Sequence, residues 1–314
     1  MIAISSANRE ITPEDRLRVE EAATIVQLPS NREILQVFAT NYRLDGQDNI
    51  KDPVGMHGVR LEVDTHIVTA ATPNLRGLDT VLEKARLHAN HHTFSSLAAA
   101  EAVLNRQQKE SGTVLLDIGA GTTNLIVIED GEVQHVAVIP MGGIHITNDL
   151  AIGLKTDLDI AEEVKIKHGS LSSKQKVGSV NIEAQGIRHS FPVDDIHMII
   201  EARVEELLEY VDKELKKIQR SRKLPGGAVL VGGTSKLPGI AEFTREKLQL
   251  AARLGKLEAI EGLVDTVGDA TYTTAVGLML LDLLLMPNDS RNSGGTPNKN
   301  VFRLIDGLLR RFKK

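Results

Sequence analysis

Residues 115–131 read LLDIGAGTTNLIVIEDG. Asp117 closes an apolar run, Gly119 and Gly121 bracket Ala120, and Thr122 and Thr123 precede a second apolar run. Glycines permit unusual φ and close backbone approach. Successive turn N–H groups form a concave nest for an anion. Threonine hydroxyls add donors, and an aspartate at a strand end can hold a divalent cation through water. The chemistry these types and spacings suit is phosphate binding. A P-loop needs Gly-Lys-Ser/Thr, and no lysine follows here. A dinucleotide fingerprint needs a third glycine and a helix, but Asn124 stands there and a strand-like run follows. Two readings stay open: a β-hairpin whose turn wraps phosphate, or a plain Gly-rich hairpin.

LVGGTSKLPGI (230–240) repeats the pattern of strand, double glycine, polar loop and helix. Gly232 and Gly233 would let a nucleotide lie against the backbone near a helix N-terminus. Alone this is weak. Paired with the first stretch across about 110 residues and a helical insert, it favours a nucleotide site.

The elements that must position these residues follow from periodicity and punctuation. Thr12-Pro13 opens a helix over 12–26, and Thr72-Pro73 one over 72–87. Residues 32–40 and 59–71 read as strands, with a loop through Asp45-Gly46 and Pro53 between them. Residues 97–106 are strong helix formers. Strands at 113–116, 124–128 and 132–139 follow, the last two joined by an Asp130-Gly131 hairpin turn. Helices at 145–153 and 158–168 and a polar hairpin near 178–192 lead to a long helix, 194–220. Its apolar residues Ile196, Ile199, Ile200, Val204, Leu207, Leu208, Val211, Leu215 and Ile218 form one stripe. A strand at 227–233 and a helix at 239–251 come next. The run Ala275–Met286 is too short to cross a bilayer, contains Asp282, and reads as a buried core helix.

At 314 residues, with 41% hydrophobic and 25% charged residues, the chain has room for about two soluble domains. A net charge of −5 does not favour nucleic acid. The absence of cysteine excludes disulfides and thiolate metal sites. His88, His91 and His92 lack an acid at zincin spacing and read as ordinary surface histidines.

DIGAGTTNLIVIEDGEVQHVAVIPMGG resembles the second phosphate motif of the actin-like ATPase superfamily, and VLVGGTSKLPGI its adenosine motif. TYTTAVGL (271–278) resembles its second connecting helix. Through DNIKDPVGMHGVRLEVDTHIVTA (48–70), LAAAEAVL (97–104) and IAEEVKIKHG (160–169), the chain resembles the FtsA family of bacterial cell-division proteins along nearly its whole length. The resemblance implies an α/β, actin-like ATPase fold of ribonuclease H-like mixed sheets, with an inserted α+β subdomain and a C-terminal amphipathic helix. It implies remnants of the first actin-like subdomain at 1–12 and 89–112, and an α+β interaction subdomain at 13–88. The second ATPase domain would be 113–286, its insert 143–223. It assigns Asp117 to Mg²⁺, and Gly119, Ala120, Gly121, Thr122 and Thr123 to the β- and γ-phosphates of ATP. Glu162 and Lys165 would sit on ribose or adenine, and Gly232, Gly233 and Thr234 would line the adenosine side. Without the resemblance, Glu162 and Lys165 read as a solvent-facing i,i+3 ion pair. No catalytic residue is assigned.

The superfamily clamps nucleotide between two hairpins that each open with Asp-x-Gly, and that pattern occurs here once, at Asp117. The resemblance places the other ahead of Met1, so the first subdomain is expected to be incomplete and ATP binding weak or absent. The implied partners are the C-terminal peptide of the tubulin-like FtsZ on block 143–223, other division proteins through 13–88, and further copies of the chain in an actin-like polymer. Arg220, Arg222 and Lys223 would meet the acidic peptide. A PilM-like pilus-assembly protein and a sugar kinase are the alternatives.

PNDSRNSGGTPNKN (287–300) has linker composition. Beyond it, VFRLIDGLLRRFKK (301–314) puts Phe302, Leu304, Ile305, Leu308, Leu309 and Phe312 on one broad helical face, with Arg310, Arg311, Lys313 and Lys314 on the other. A short basic amphipathic helix of this kind is the pattern of an interfacial anchor that binds anionic lipids; the other reading is a terminal helix docked on its own body, against which the long polar linker argues. With the resemblance, the anchor places the protein on the cytoplasmic face of the cell membrane at the division septum.

Overall fold

The computed structural model describes residues 2–3, 9–172, 178–184, 187–257 and 269–285. The linker 287–300 and the amphipathic segment 301–314 lie outside the described residues. By internal contacts the chain divides into two units. One holds the residues up to Phe94 together with Gly131–Gln134 and the described residues from Asp282 on, the other Ser95–Asp130 and His135–Leu281, so the strand 132–139 and the helix 273–285 lie mostly in the second.

The first unit contains β1 (Ile2–Ala3), β2 (Arg9–Glu10), α1 (Pro13–Ala23), β3 (Arg32–Leu44), β4 (Gln47–Ile50), β5 (His57–Gly58), β6 (Arg60–Ala71) and α2 (Thr72–Lys84). Its main sheet has the order β1-β6-β3-β4. Strand β3 outruns its expected end at residue 40, continuing to Leu44 past two register shifts against β6. Thr12 opens α1 as expected: its hydroxyl accepts from Asp15 N at 3.3 Å while the Asp15 carboxylate accepts from Thr12 N at 3.0 Å, a capping box. At α2, by contrast, Thr72 already lies inside the helix and Ala71 caps it without a side-chain bond. Ile11, Val19, Tyr42, Leu44, Ile50 and Leu61 form the core. Asp45-Gly46 makes the β3–β4 hairpin turn rather than an open loop. Its φ values of 51° and 88° match the 58° and 78° of Asp130-Gly131, the left-handed pair that tight hairpins require.

The second unit contains α3 (Ser95–Val103), α4 (Arg106–Ser111), β7 (Thr113–Ile118), β8 (Thr123–Glu129), β9 (Glu132–Ile139), α5 (Gly143–Gly153), α6 (Leu158–His168), β10 (Ser179–Ala184), β11 (Ile187–Pro192), α7 (Val193–Lys217), β12 (Gly227–Val231), α8 (Ile240–Leu248), β13 (Ala252–Leu254) and α9 (Thr273–Leu285). Its sheet has the order β13-β12-β7-β8-β9. Strand β12 runs parallel to β13 and β7, and β8 antiparallel to β7. Every residue of β12 is buried, which is why the central strands read as unbroken apolar runs. The α7 stripe packs into the same core.

Two expectations change here. The helix read over 97–106 stops at Val103, because Asn105 starts α4. The Asn105 side chain accepts from Gln108 N at 2.9 Å and the Gln108 side chain accepts from Asn105 N at 2.8 Å. Both helices pack on β7 and β8, so by contact 95–112 groups with the second unit. The run 275–286 is not a fully buried helix. Among the described side chains of α9 the stripe Thr273, Val276, Gly277 and Leu281 is buried, while Leu278, Met279 and Leu283 are exposed. Gly277 explains the one-sided docking: a Cβ there would lie 1.8 Å from the Ala98 carbonyl oxygen, so α9 crosses α3 at backbone contact.

Candidate functional site: a phosphate turn and its staples

Strand β7 carries Asp117 and then turns through Gly119–Thr122 into β8. The turn is closed by Gly119 N donating to Thr122 O at 2.9 Å. Neither Gly119 nor Gly121 has a positive φ, so the unusual backbone expected of them is absent. What Gly121 provides is space, since a Cβ there would meet nothing within 4 Å. Among the described residues no hydrogen bond occupies the N–H groups of Ala120, Gly121 or Thr122. These are free donors of the kind an anion needs. Thr123 is different: it is fully buried, and its hydroxyl donates to Met141 O at 2.8 Å. It anchors the hairpin rather than facing a ligand.

Two carbonyls of the same turn are engaged by other segments. Gly119 O accepts from Gly143 N and from the Thr234 hydroxyl, each at 2.9 Å. Ala120 O accepts from Ile144 N at 2.8 Å. Close glycine contacts make this possible. A Cβ on Gly142 would lie 2.5 Å from Gly119 O, and one on Gly143 2.5 Å from the Thr234 hydroxyl. Gly232 holds the left-handed conformation, φ 86°, and a Cβ there would lie 2.5 Å from an Asp117 carboxylate oxygen. Gly233 has ordinary room, with Thr271 Cγ2 3.6 Å from its would-be Cβ.

Asp117 accepts from the Thr274 hydroxyl at 3.1 Å and has no cationic partner among the described residues. Burial pushes its carboxyl above the usual range, and the Thr274 bond offsets this only in part. A half-buried carboxylate without a counter-ion beside free N–H donors fits Mg²⁺. That ion keeps several waters and takes one or two carboxylates plus phosphate oxygens. Among the described residues no group of three His, Cys, Asp or Glu could hold a metal by itself, so Asp117 would be a lone ligand in a water-and-phosphate shell.

Glu162 and Lys165 form the i,i+3 ion pair, but only Glu162 is largely exposed, its side chain at 44%; that of Lys165 is 15% exposed and turned inward. Lys165 Nζ donates to Glu162 Oε2 at 2.6 Å, Thr147 Oγ1 at 2.8 Å and Gly143 O at 3.1 Å. The Thr147 hydroxyl also meets Glu162. Burial alone would raise the Glu162 carboxyl, but the bonds from Lys165 and Thr147 outweigh it and hold it below the usual range. Lys165 therefore turns inward onto Gly143, the residue that holds the phosphate turn. Nearby, Lys236 pairs with Asp269, whose carboxyl is pulled down to about 2 by that ammonium and the Thr271 bonds.

Of the three basic residues expected to meet an acidic peptide, Arg220 is already paired with Glu129 at 2.6 Å, while Arg222 and Lys223 stand exposed. His92 bonds Asp79 at 2.9 Å. Four residues at the turn were not picked out from the sequence: Gly142, Gly143, Thr147 and Thr274. Gly142-Gly143 repeats, after β9, the strand–double-glycine pattern of Gly232-Gly233. Thr274 lies within the TYTTAVGL stretch, but nothing there singles out its hydroxyl as a partner of Asp117.

Residues 114–277 match the family described as cell division protein FtsA, and residues 1–69 the SHS2 domain inserted in it. The chain is 34% identical over 284 residues to the cell division protein FtsA of Pseudomonas aeruginosa, covering 89% of this chain and 68% of that one. It is 37% identical over 283 residues to that of Bacillus subtilis (89% and 63%), and 35% identical over 310 residues to that of Neisseria meningitidis (97% and 74%). The chain thus spans between 63% and 74% of the length of these relatives. Among solved structures, it superposes on MreB5 of Spiroplasma citri bound to ADP with a TM-score of 0.56, at 17% identity, over 68% of this chain and 66% of that one. On a PilM–PilN type IV pilus biogenesis complex the TM-score is 0.57, at 18% identity, over 87% and 74%. These likenesses establish the actin-like ATPase fold.

Proposed function

The chain belongs to the FtsA family of cell-division proteins, and on that premise we propose that it tethers FtsZ filaments to the inner face of the cytoplasmic membrane at the septum, with Mg²⁺–ATP as a conformational ligand. The observation that carries the nucleotide reading is the convergence on one turn. Gly143 and Ile144 N–H and the Thr234 hydroxyl, with Lys165 behind Gly143, hold the Gly119 and Ala120 carbonyls, leaving three N–H donors beside an uncompensated Asp117.

In this reading Ala120, Gly121 and Thr122 hold phosphate oxygens, and Asp117 holds a water of the Mg²⁺ shell. Gly232 keeps the backbone close behind Asp117. Lys165, paired with Glu162 and bonded to Gly143 O, supplies a positive charge on the α5 side of the turn. Magnesium would neutralise phosphate charge that the turn alone cannot. The acidic FtsZ peptide would meet Arg222 and Lys223, and division partners the 13–88 block. Segment 301–314 would bind anionic lipid. Copies would associate as actin-like polymers, so many weak anchors act together.

The test is calorimetric titration of the 314-residue chain with millimolar Mg²⁺–ATP, beside Asp117→Ala. A saturable heat that the variant loses is the expected result. The same heat from both proteins would overturn the assignment of the site.

A further inference from the structure

We propose that the start of α5 is wired to the phosphate turn, so that an anion bound at the turn tightens the first turn of the inserted block. This rests on the nucleotide reading of the Gly119–Thr122 turn. The first N–H groups of an α-helix have no partner inside the helix. In α5 the cap N–H of Gly142 goes to the His145 side chain at 3.1 Å, and the next two reach out of the helix. Gly143 N donates to Gly119 O at 2.9 Å and Ile144 N to Ala120 O at 2.8 Å.

Each accepting carbonyl belongs to a peptide whose N–H is a free donor of the turn. The carbonyl of Gly119 shares a peptide plane with Ala120 N–H, and that of Ala120 with Gly121 N–H. An anion on those N–H groups polarises the peptides and strengthens their carbonyls as acceptors, since hydrogen bonds in series reinforce one another. The positive end of the α5 dipole is thus relayed through two peptides to the ligand. The helix itself never touches it.

The contact has no slack. A Cβ on Gly142 would stand 2.5 Å from Gly119 O and 2.6 Å from Ala120 O. A second staple fixes the same carbonyl from the other side, through the Thr234 hydroxyl at 2.9 Å. A shift in the turn must therefore pass into α5 or break these bonds. Helix α5 packs on α6 and on the long α7, both of the insert. Occupancy of the turn would thereby bias the block proposed to meet the partner peptide. Binding linkage is reciprocal, so a partner that stiffens α5 would also tighten the anion.

Hydrogen exchange read at the Gly143 and Ile144 amides tests this on the whole chain, alongside the calorimetry. With saturating Mg²⁺–ATP both amides should slow by roughly fivefold or more, the low end of ordinary inter-site coupling. Pyrophosphate should reproduce the slowing and adenosine should not. Gly142→Ala should lose it. A saturable heat with unchanged exchange at both amides would overturn the wiring while leaving the nucleotide site intact. So would protection by adenosine alone, or full protection in Gly142→Ala. If that variant fails to fold, the wild-type comparison still decides. The absence of any heat up to millimolar Mg²⁺–ATP would overturn the site and the wiring together.

Discussion

The hydroxyl of Thr274, at the start of α9, donates to the Asp117 carboxylate at 3.1 Å across 157 residues of sequence. Among the described residues it is the one bond that favours the charged form of a carboxyl otherwise pushed upward by burial. A carboxyl whose folded pKa lies above its unfolded one holds its proton more tightly in the fold. Its charged form therefore opposes folding. That cost is full above the folded pKa and vanishes as pH falls below the unfolded value. Asp117→Asn should consequently melt a few degrees higher than the parent at pH 7 without ligand. The gap should close by about pH 3, below the ordinary aspartate value. Thermal unfolding at several pH values checks this. An Asn variant that is less stable at pH 7 would show that the carboxylate is held by something beyond Thr274.

Two glycines separate fold from site. Gly232→Ala places a Cβ at φ 86° and 2.5 Å from Asp117. The left-handed conformation alone costs an L-residue about 1–2 kcal/mol, so urea unfolding should lose roughly 2 kcal/mol or more. Gly121→Ala meets nothing within 4 Å and has no positive φ. Its stability should stay within about 0.5 kcal/mol of the parent, while Mg²⁺–ATP binding falls because the methyl fills space beside the free donors. Equal destabilisation by the two would contradict the assigned geometry.

Lys165→Met keeps the length of the side chain and removes the ammonium. Glu162 then retains its burial but loses a 2.6 Å bond, so its carboxyl should titrate higher than in the parent by carbon-detected NMR. The sign for stability follows. In the parent a lowered Glu162 contributes stability above its unfolded pKa, and this is lost as pH falls through the folded one. The variant should lack that acid-side loss. Nucleotide affinity should drop as well, since Lys165 is the cation bonded to Gly143 O. An unshifted Glu162 would mean that Thr147 alone holds it down.

Much of this arrangement was legible in sequence because it is local. Asp130-Gly131 dictates its turn, the α7 stripe declares its buried face, and Asp117-x-Gly-x-Gly marks a tight turn after a strand. What escaped was relational. Thr274 lies far from Asp117 in sequence and has no local reason to be a threonine. Gly142 and Gly143 are required by carbonyls of another segment rather than by their own φ. The run Ala275–Met286 reads as buried from its apolar content alone. Burial depends on which face finds a partner, and Gly277 selects one stripe. The split at Asn105 was readable in principle, since Asn-x-x-Gln is a capping box, but strong helix formers on its N-terminal side masked it.

The segment VFRLIDGLLRRFKK gives the proposed membrane role its sharpest test. Each cation near an anionic leaflet contributes about 1 kcal/mol, and partly buried apolar side chains add several more by area. A helix this short is marginal in water and must fold as it binds. One copy should therefore bind vesicles reversibly, while a polymer of copies, sharing a surface at high effective concentration, should sediment with them almost completely. Phe302→Glu places a charge on the apolar face and should release the protein from phosphatidylserine vesicles at both low and high protein concentration. Raising salt should weaken the parent on phosphatidylserine vesicles, and neutral phosphatidylcholine vesicles should retain far less of it. Sedimentation of the Glu variant equal to the parent would assign membrane binding elsewhere in the chain.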